Sequence, residues 1–213
     1  MKLRLILASS SPRRRELLKQ IGAEFEIFPA QGEEVITSVK PEQTVLELSR
    51  QKAQEVADCL LSSGERQEEK IFQTGEIEKT LILGADTVVA FGGKILGKPK
   101  DREDAIQMLQ MLSGSTHSVF TGVTIVAAGE GGQKAYSFYE ETKVTMYPMP
   151  MPEILSYIQT GEPMDKAGAY GIQGKGAVYI ERIQGDYNNV VGLPVARIFQ
   201  EMQKTGIDIL HHS

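Results

Sequence analysis

Behind a run of three serines and a proline, the segment ASSSPRRRELL (residues 8–18) carries Arg13, Arg14 and Arg15. Apolar Leu5–Leu7 precede it, and the spacing of Leu17, Leu18 and Ile21 behind it marks the buried face of a helix. Arg14 falls at the centre of that face, Arg13 on its flank, and Arg15 points away to solvent with Lys19. Cations in a first helical turn oppose the helix dipole, at a typical cost of about 0.3–1 kcal/mol each. An anion held by Arg13, Arg14, the Ser9–Ser11 hydroxyls and the helix amides resolves both conflicts. The alternative is that the arginines snorkel and pair with Glu16 or an acid on a loop.

Lys52 is a second misplaced charge, inside a helical stripe of Val45, Leu48, Val56 and Cys59. It needs a partner there, unless its long stem reaches solvent over the rim. Asp86 is the sharpest case. It interrupts the apolar run LILGADTVVAF directly after Gly84 and Ala85, whose small size leaves room for something to approach. A buried carboxylate is costly unless it is paired or metal-bound, and a turn-capping role at a strand end fits poorly with apolar sequence continuing to Val89. Glu33 and Glu34 in AQGEEV, and Lys98 held extended before Pro99, complete the charged set unless they are plain surface. In DKAGAYGIQGKGA (165–177), Gly168, Gly171, Gly174 and Gly176 suggest backbone brought close to a ligand within reach of Gln173. The segment is not a P-loop, because Ala169 stands where glycine is required and no Ser or Thr follows Lys175.

Basic residues at a helix start, two or three carboxylates and two lysines suit metal-assisted phosphate chemistry. The cations neutralise phosphate, and the carboxylates hold Mg²⁺ or orient water. His117 stands alone and His211–His212 sit near the end of the chain, so zinc is not expected.

The elements that must position these groups follow from periodicity and punctuation. Leu3–Leu7 reads as a strand, Ser11–Pro12 as the start of a helix running to about Ile21, and Phe25–Phe28 as a short strand. A long helix spans about Glu42–Leu61, and Thr80–Phe91 turns at Gly92–Gly93 into Ile95–Leu96 as a hairpin. Asp101 caps a helix to Leu112; Ser118–Ala127 and Tyr136–Met146 pair around a glycine-rich turn. A helix at Pro152–Gln159, a strand at Ala177–Ile183 and a helix at Pro194–Lys204 complete an α/β fold with a mixed sheet. Residues 62–79 are polar and read as a mobile insertion.

The 213 residues, 41% hydrophobic and 24% charged, suffice for one domain, with a single core or two lobes. A net charge of −5 gives no general drive toward nucleic acid. No run approaches the ~18 apolar residues of a membrane span, and Leu5–Ala8 is too short for a signal-peptide core. Cys59, the one cysteine, reads as a buried small hydrophobe in a reducing, cytoplasmic setting.

With LASSSPRRRELL, RQKA, LGADTVV, LGKPKDREDA, LSGSTHSVFTGV, GEPMDKAGAYGIQG and VVGLP in order along the chain, the sequence resembles the Maf-like nucleoside triphosphate pyrophosphatases. The resemblance implies a Maf/Ham1-like (ITPase-like) fold with two lobes around a cleft, spanning residues 1–207 as one domain with a tail at 208–213. It implies a homodimer that hydrolyses a nucleoside triphosphate to monophosphate and pyrophosphate with a divalent cation, Mg²⁺ or Mn²⁺. Asp86 matches the family's proton acceptor and, with Glu34, a metal contact. Glu34, Lys52 and Lys98 match its cleft acid and lysines, and Ser9 and Arg14 its phosphate-binding motif. Arg13, Thr87 and Gln173 match the dTTP/UTP subgroup, and the amide of Gln173 can present both donor and acceptor to a pyrimidine edge. GEE stands at 32–34 where the family's pattern is VDE. Two further expectations are a house-cleaning role toward modified pyrimidine nucleotides and, as the rival, a nucleotide-binding regulator inhibiting septum formation through a partner.

Overall fold

A computed structural model describes residues 3–62, 79–129 and 132–210. The expected insertion at 62–79 lies, but for its end residues, outside the described residues, as do His211–Ser213 of the tail. In chain order the elements are β1 (Leu3–Leu7), α1 (Pro12–Gln20), β2 (Glu26–Ile27), α2 (Pro41–Ser62), β3 (Lys79–Phe91) and β4 (Lys94–Leu96). Then come α3 (Arg102–Leu112), β5 (Thr116–Gly129), β6 (Gly132–Met146) and α4 (Met151–Gln159). Three 3₁₀ turns, Glu162–Asp165, Ala167–Ala169 and Gly174–Tyr179, lead to β7 (Ile180–Gln184), α5 (Tyr187–Val191) and α6 (Val195–Lys204).

The seven strands form one mixed sheet in the order β2-β1-β3-β5-β6-β7, with β4 also on β3. β1 runs parallel to β2 and β3, and every other pairing is antiparallel. Asp101 caps α3 by accepting from the Asp104 amide at 2.8 Å. Two expectations are corrected. Residues 177–179 belong to a 3₁₀ turn, not to β7, because the Glu162 carboxylate takes the amides of Lys175 and Gly176 and winds the chain there. Cys59 is exposed: the buried face of α2 runs through Val45, Leu48, Ser49, Ala53, Val56 and Ala57 toward half-buried Leu60, which carries position 59 off the sheet.

Alternation along β3 distributes its side chains to two faces. Leu81, Leu83 and Ala85 join a core with α1 and α6, whereas Ile82 and Val88 pack toward α2. Beyond Asp86 the first face changes partners: Val89 belongs to a separate core with α3 and α4. On this face of the sheet two hydrophobic cores therefore sit side by side and meet at the middle of β3.

Helix α2 lies against β3 and β5 at backbone distance, which requires glycine. A Cβ on Gly84 would stand 2.4 Å from the Ser49 carbonyl oxygen, and one on Gly122 would stand 2.2 Å from that of Val45. Gly122 faces Asp86 directly across the sheet. The space beside Asp86 foreseen from its small neighbours is thus filled by the chain's own helix.

Candidate active site

Asp86 occupies a gap in strand pairing. On one edge β3 is paired with β5 throughout residues 80–90. On the other edge β1 pairs only as far as Leu83 and β4 begins only at Val89. The chain leaves β1 through Ala8, whose amide still donates to Leu83 O, and then Ser9. It leaves β4 at Leu96, opposite Val89, through Gly97 and Lys98. The notch between the two strands thus has Ser9 and α1 on one side, Lys98 on the other, and residues 84–88 as its floor.

On the α2 face, Asp86 receives Lys52 Nζ at 2.5 Å, and the same ammonium contacts Glu34 at 2.9 Å. The Lys52 and Asp86 side chains are 18% and 15% exposed, so the lysine stem does not escape to solvent. Asp86 lies mid-strand rather than capping a turn. Glu34, half exposed, is delivered by an extended strap, residues 31–38, running antiparallel along α2. Glu55 accepts from the Gln31 and Gly32 amides, Gln51 bonds both the N–H and the carbonyl of Val35, and Glu47 accepts from the Thr37 and Ser38 amides. Those three helix residues are four apart, hence on one face. Among the described residues Glu33 makes no ion pair.

On the opposite face, Arg14 is buried to 9% exposure, as its place on the wheel requires. It donates to Gly192 O at 2.9 Å, Ser9 Oγ at 3.1 Å and Thr87 Oγ1 at 3.1 Å. Burial pulls its pKa below the ordinary value, and the charge of Asp86 works in the other direction. Thr87 continues the network through Thr121 Oγ1, which donates to Asn189 O. Ser9 Oγ accepts from both Arg14 and the Ser11 amide, leaving its own proton for a ligand. The Ser11 side chain takes no helix amide, so the start of α1 keeps donors for an anion. Arg13 instead meets a loop acid, donating to Asp165 Oδ2 at 2.8 Å and Asp165 O at 3.4 Å. Arg15 is corrected: it is half-buried rather than solvated, and among the described residues its Nε has no partner.

The glycine-rich segment packs closely on the protein itself. A Cβ on Gly174 would stand 2.7 Å from Glu162 Oε2, one on Gly176 2.6 Å from Tyr157 Oη, and one on Gly168 3.0 Å from Val89. Glu162 accepts from Tyr157 Oη and the Lys175 and Gly176 amides, and Tyr157 Oη accepts from the Gly171 amide. Gln173 sits half-buried on this wound segment. Gly168 N donates to Gly97 O at 3.0 Å, which draws the segment beside exposed Lys98. Among the described residues no ion pair of Lys98 joins it to the Lys52–Asp86 group; register alone brings it to the notch. Glu162, Asp165 and the Gly192 carbonyl escaped sequence reasoning. The two acids lie inside GEPMDKAG, flanking Pro163, and their charge was the available signal.

His117 anchors the same segment, its Nε2 2.7 Å from Tyr170 Oη with both residues buried. Burial lowers the His117 pKa from 6.5 to about 4. A folded value below the unfolded one means that stability is complete above pH 6.5 and lost as pH falls toward 4. From His117 alone this loss is on the order of 3 kcal/mol. Urea unfolding at pH 7 and pH 4.5 checks it: the stability advantage of the wild type over His117→Gln shrinks at the lower pH. An advantage independent of pH refutes the assignment.

Two carboxylates of this site converge on one cation, the Lys52 ammonium. That donor set fits a metal held by few protein oxygens and otherwise by water and phosphate. Among the described residues no group of three or more His, Cys, Asp or Glu forms a complete cage.

Residues 4–205 match the family model described as Maf-like protein. The chain is similar to a dTTP/UTP pyrophosphatase of Agathobacter rectalis, 57% identical over 96% of this chain and 98% of that one. A dTTP/UTP pyrophosphatase of Carboxydothermus hydrogenoformans is 48% identical over 96% and 100%. Among solved structures, a nucleoside-triphosphatase / dITP/XTP pyrophosphatase of Mycobacterium abscessus is 12% identical over 95% and 93%, with a TM-score of 0.34, a likeness on which no argument rests.

Proposed function

We propose, since the chain belongs to the Maf-like protein family, that it hydrolyses nucleoside triphosphates, foremost dTTP and UTP, to the monophosphate and pyrophosphate. The observation that carries the reading is Asp86 in the strand gap, sharing one lysine with Glu34, between Ser9–Arg14 on one side and Lys98 on the other. The rival regulatory role has no such observation in its favour.

In this reading the triphosphate lies along the notch. Ser9, Arg14 and the first amides of α1 take phosphate oxygens from one side and Lys98 from the other. Asp86 takes a proton from water while the water oxygen bonds to the α-phosphorus. The bond from that phosphorus to the α–β bridging oxygen breaks, and pyrophosphate departs with the electron pair. Lys52 holds Asp86 in place and offsets charge that builds on the phosphoryl oxygens. Glu34 and Asp86 would hold Mg²⁺ or Mn²⁺, which when bound supplies charge neutralisation and polarises water. Arg13, Thr87 and Gln173 select the base; Thr87 does so indirectly, since its hydroxyl is bound to Arg14 and Thr121. Residues 1–207 act as one domain of a cytoplasmic homodimer. Among the described residues no helix is long and apolar enough to cross a membrane.

A pyrophosphate-release screen with Mg²⁺ or Mn²⁺ tests this. dTTP and UTP are turned over well before dATP, GTP or 7-methyl-GTP; a purine winner sinks the pyrimidine assignment. Adding modified pyrimidine triphosphates to the panel tests the house-cleaning role.

A further inference from the structure

One short turn holds both ends of the proposed base-selecting set. At its C-terminal end, Asp165 grips Arg13 twice, through Oδ2 at 2.8 Å and through its carbonyl at 3.4 Å. Its other carboxylate oxygen, Oδ1, accepts from Lys166 Nζ at 2.7 Å, and that ammonium also reaches Glu162 O at 2.6 Å. At the N-terminal end, Glu162 accepts from the amides of Lys175 and Gly176, two and three residues beyond Gln173. Arg13 comes from α1 and Gln173 from a segment some 160 residues later in the chain. No other hydrogen bond or ion pair among the described residues ties the Arg13 side chain to the second segment.

From this juxtaposition we propose that Asp165 is a positioning residue for base selection: through the turn Glu162–Asp165 it fixes Arg13 relative to Gln173. The inference rests on the pyrimidine reading above and deepens it. A guanidinium carries five donors in a rigid plane. Two go to Asp165, which sets the orientation of the plane and leaves the remaining donors for a ligand. Arginine otherwise has many rotamers, and ordering them before binding removes an entropic cost from the correct substrate. The positioning holds at any working pH. Although partial burial acts to raise it, the Asp165 pKa is drawn down to about 2 by hydrogen bonds from Lys166 and Arg13. The Asp165 side chain is 57% exposed, and an exposed ion pair contributes little to stability. Loss of the contact is therefore separable from loss of the fold.

The experiment compares wild type, Asp165→Asn, Asp165→Glu, Arg13→Ala and the double variant Arg13→Ala/Asp165→Asn for kcat and KM on dTTP, UTP, dATP and GTP, with Tm for each. Asp165→Asn raises KM for dTTP and UTP about tenfold, changes kcat much less, and narrows the preference over purines at an unchanged Tm. Asp165→Glu, which keeps the charge, retains more of the preference. In the Arg13→Ala background, adding Asp165→Asn changes nothing further, the signature of a residue acting through another. An unchanged preference in Asp165→Asn, an equal loss on all four nucleotides, or additive effects in the double variant overturns the inference alone. A wild type that does not prefer pyrimidines overturns the proposed function, and the inference with it.

Discussion

Asp86→Asn lowers pyrophosphate release from dTTP by about 10²–10⁴-fold, the range typical for removal of a general base. The effect should fall on kcat, because the change is nearly isosteric and the amide oxygen can still accept from Lys52, which also keeps Glu34. The one neighbour that uses the negative charge is Lys52, and it keeps an ionised partner in Glu34; the others, Gly84, Ala85 and, across the ladder, Gly122, are indifferent to it. The Tm is expected to stay within a few degrees of wild type. The measurement is steady-state turnover beside a thermal melt on the same sample. Full turnover in a folded Asn variant would remove Asp86 from the chemistry and leave Glu34 as the remaining acid on Lys52.

Gly122→Ala has the largest expected effect on stability, and it reaches the site by a different route. The added methyl would sit 2.2 Å from Val45 O and 2.3 Å from Val45 C, both backbone atoms of α2 that have no rotamer through which to yield. The helix must move off the sheet or the strand must bend. Strain of this kind costs about 3 kcal/mol, equivalent to a Tm lower by roughly 6–12 °C for a chain of this size. Because Lys52 rides on the displaced helix and Asp86 on the strand, turnover falls even at temperatures where the variant is fully folded. Gly84→Ala, with its methyl 2.4 Å from Ser49 O, behaves the same way. A wild-type melt for Gly122→Ala would show that the helix has slack the packing does not reveal.

Some of this site was legible in the residues and some was not, for physical reasons. Arg14, Lys52 and Asp86 were found because each breaks a local rule, a charge where periodicity demands an apolar group, and each proves to be enclosed among polar partners. The position of Arg14 needed only the helical wheel. The identity of its partners needed the tertiary fold, since Gly192 and Thr87 are far away in sequence. Arg13 is the instructive case: it does pair with a loop acid, one of the two readings open for the arginines, and that pairing still leaves guanidinium donors for an anion. The strap itself went unread because most of its bonds are made by backbone, which carries no side-chain signature. Gly84 and the run from Gly168 to Gly176 do permit close approach, and the protein groups that approach are α2, Glu162, Tyr157 and Val89, which composition alone does not identify. The helix α5 was missed for its brevity, although Asp186 caps it through the Asn188 amide.

The strap that carries Glu34 is held mainly by its own amides and carbonyls against Glu47, Gln51 and Glu55, with side-chain bonds from Thr37 and Ser38 added. It is therefore tolerant of spelling but intolerant of length. Most substitutions along residues 31–38, Gly32 and Thr37 apart, leave the backbone rungs intact, whereas one residue gained or lost shifts every rung and carries the acid away from Lys52. This explains how GEE can stand where the family's pattern is VDE. Gly32, in the place of the valine, even lets the Glu55 carboxylate close in, since a Cβ there would lie 2.9 Å from Glu55 Oε2. In this stretch the unit under constraint is the count of residues between Glu34 and the helix, a kind of information that an alignment records as the absence of gaps.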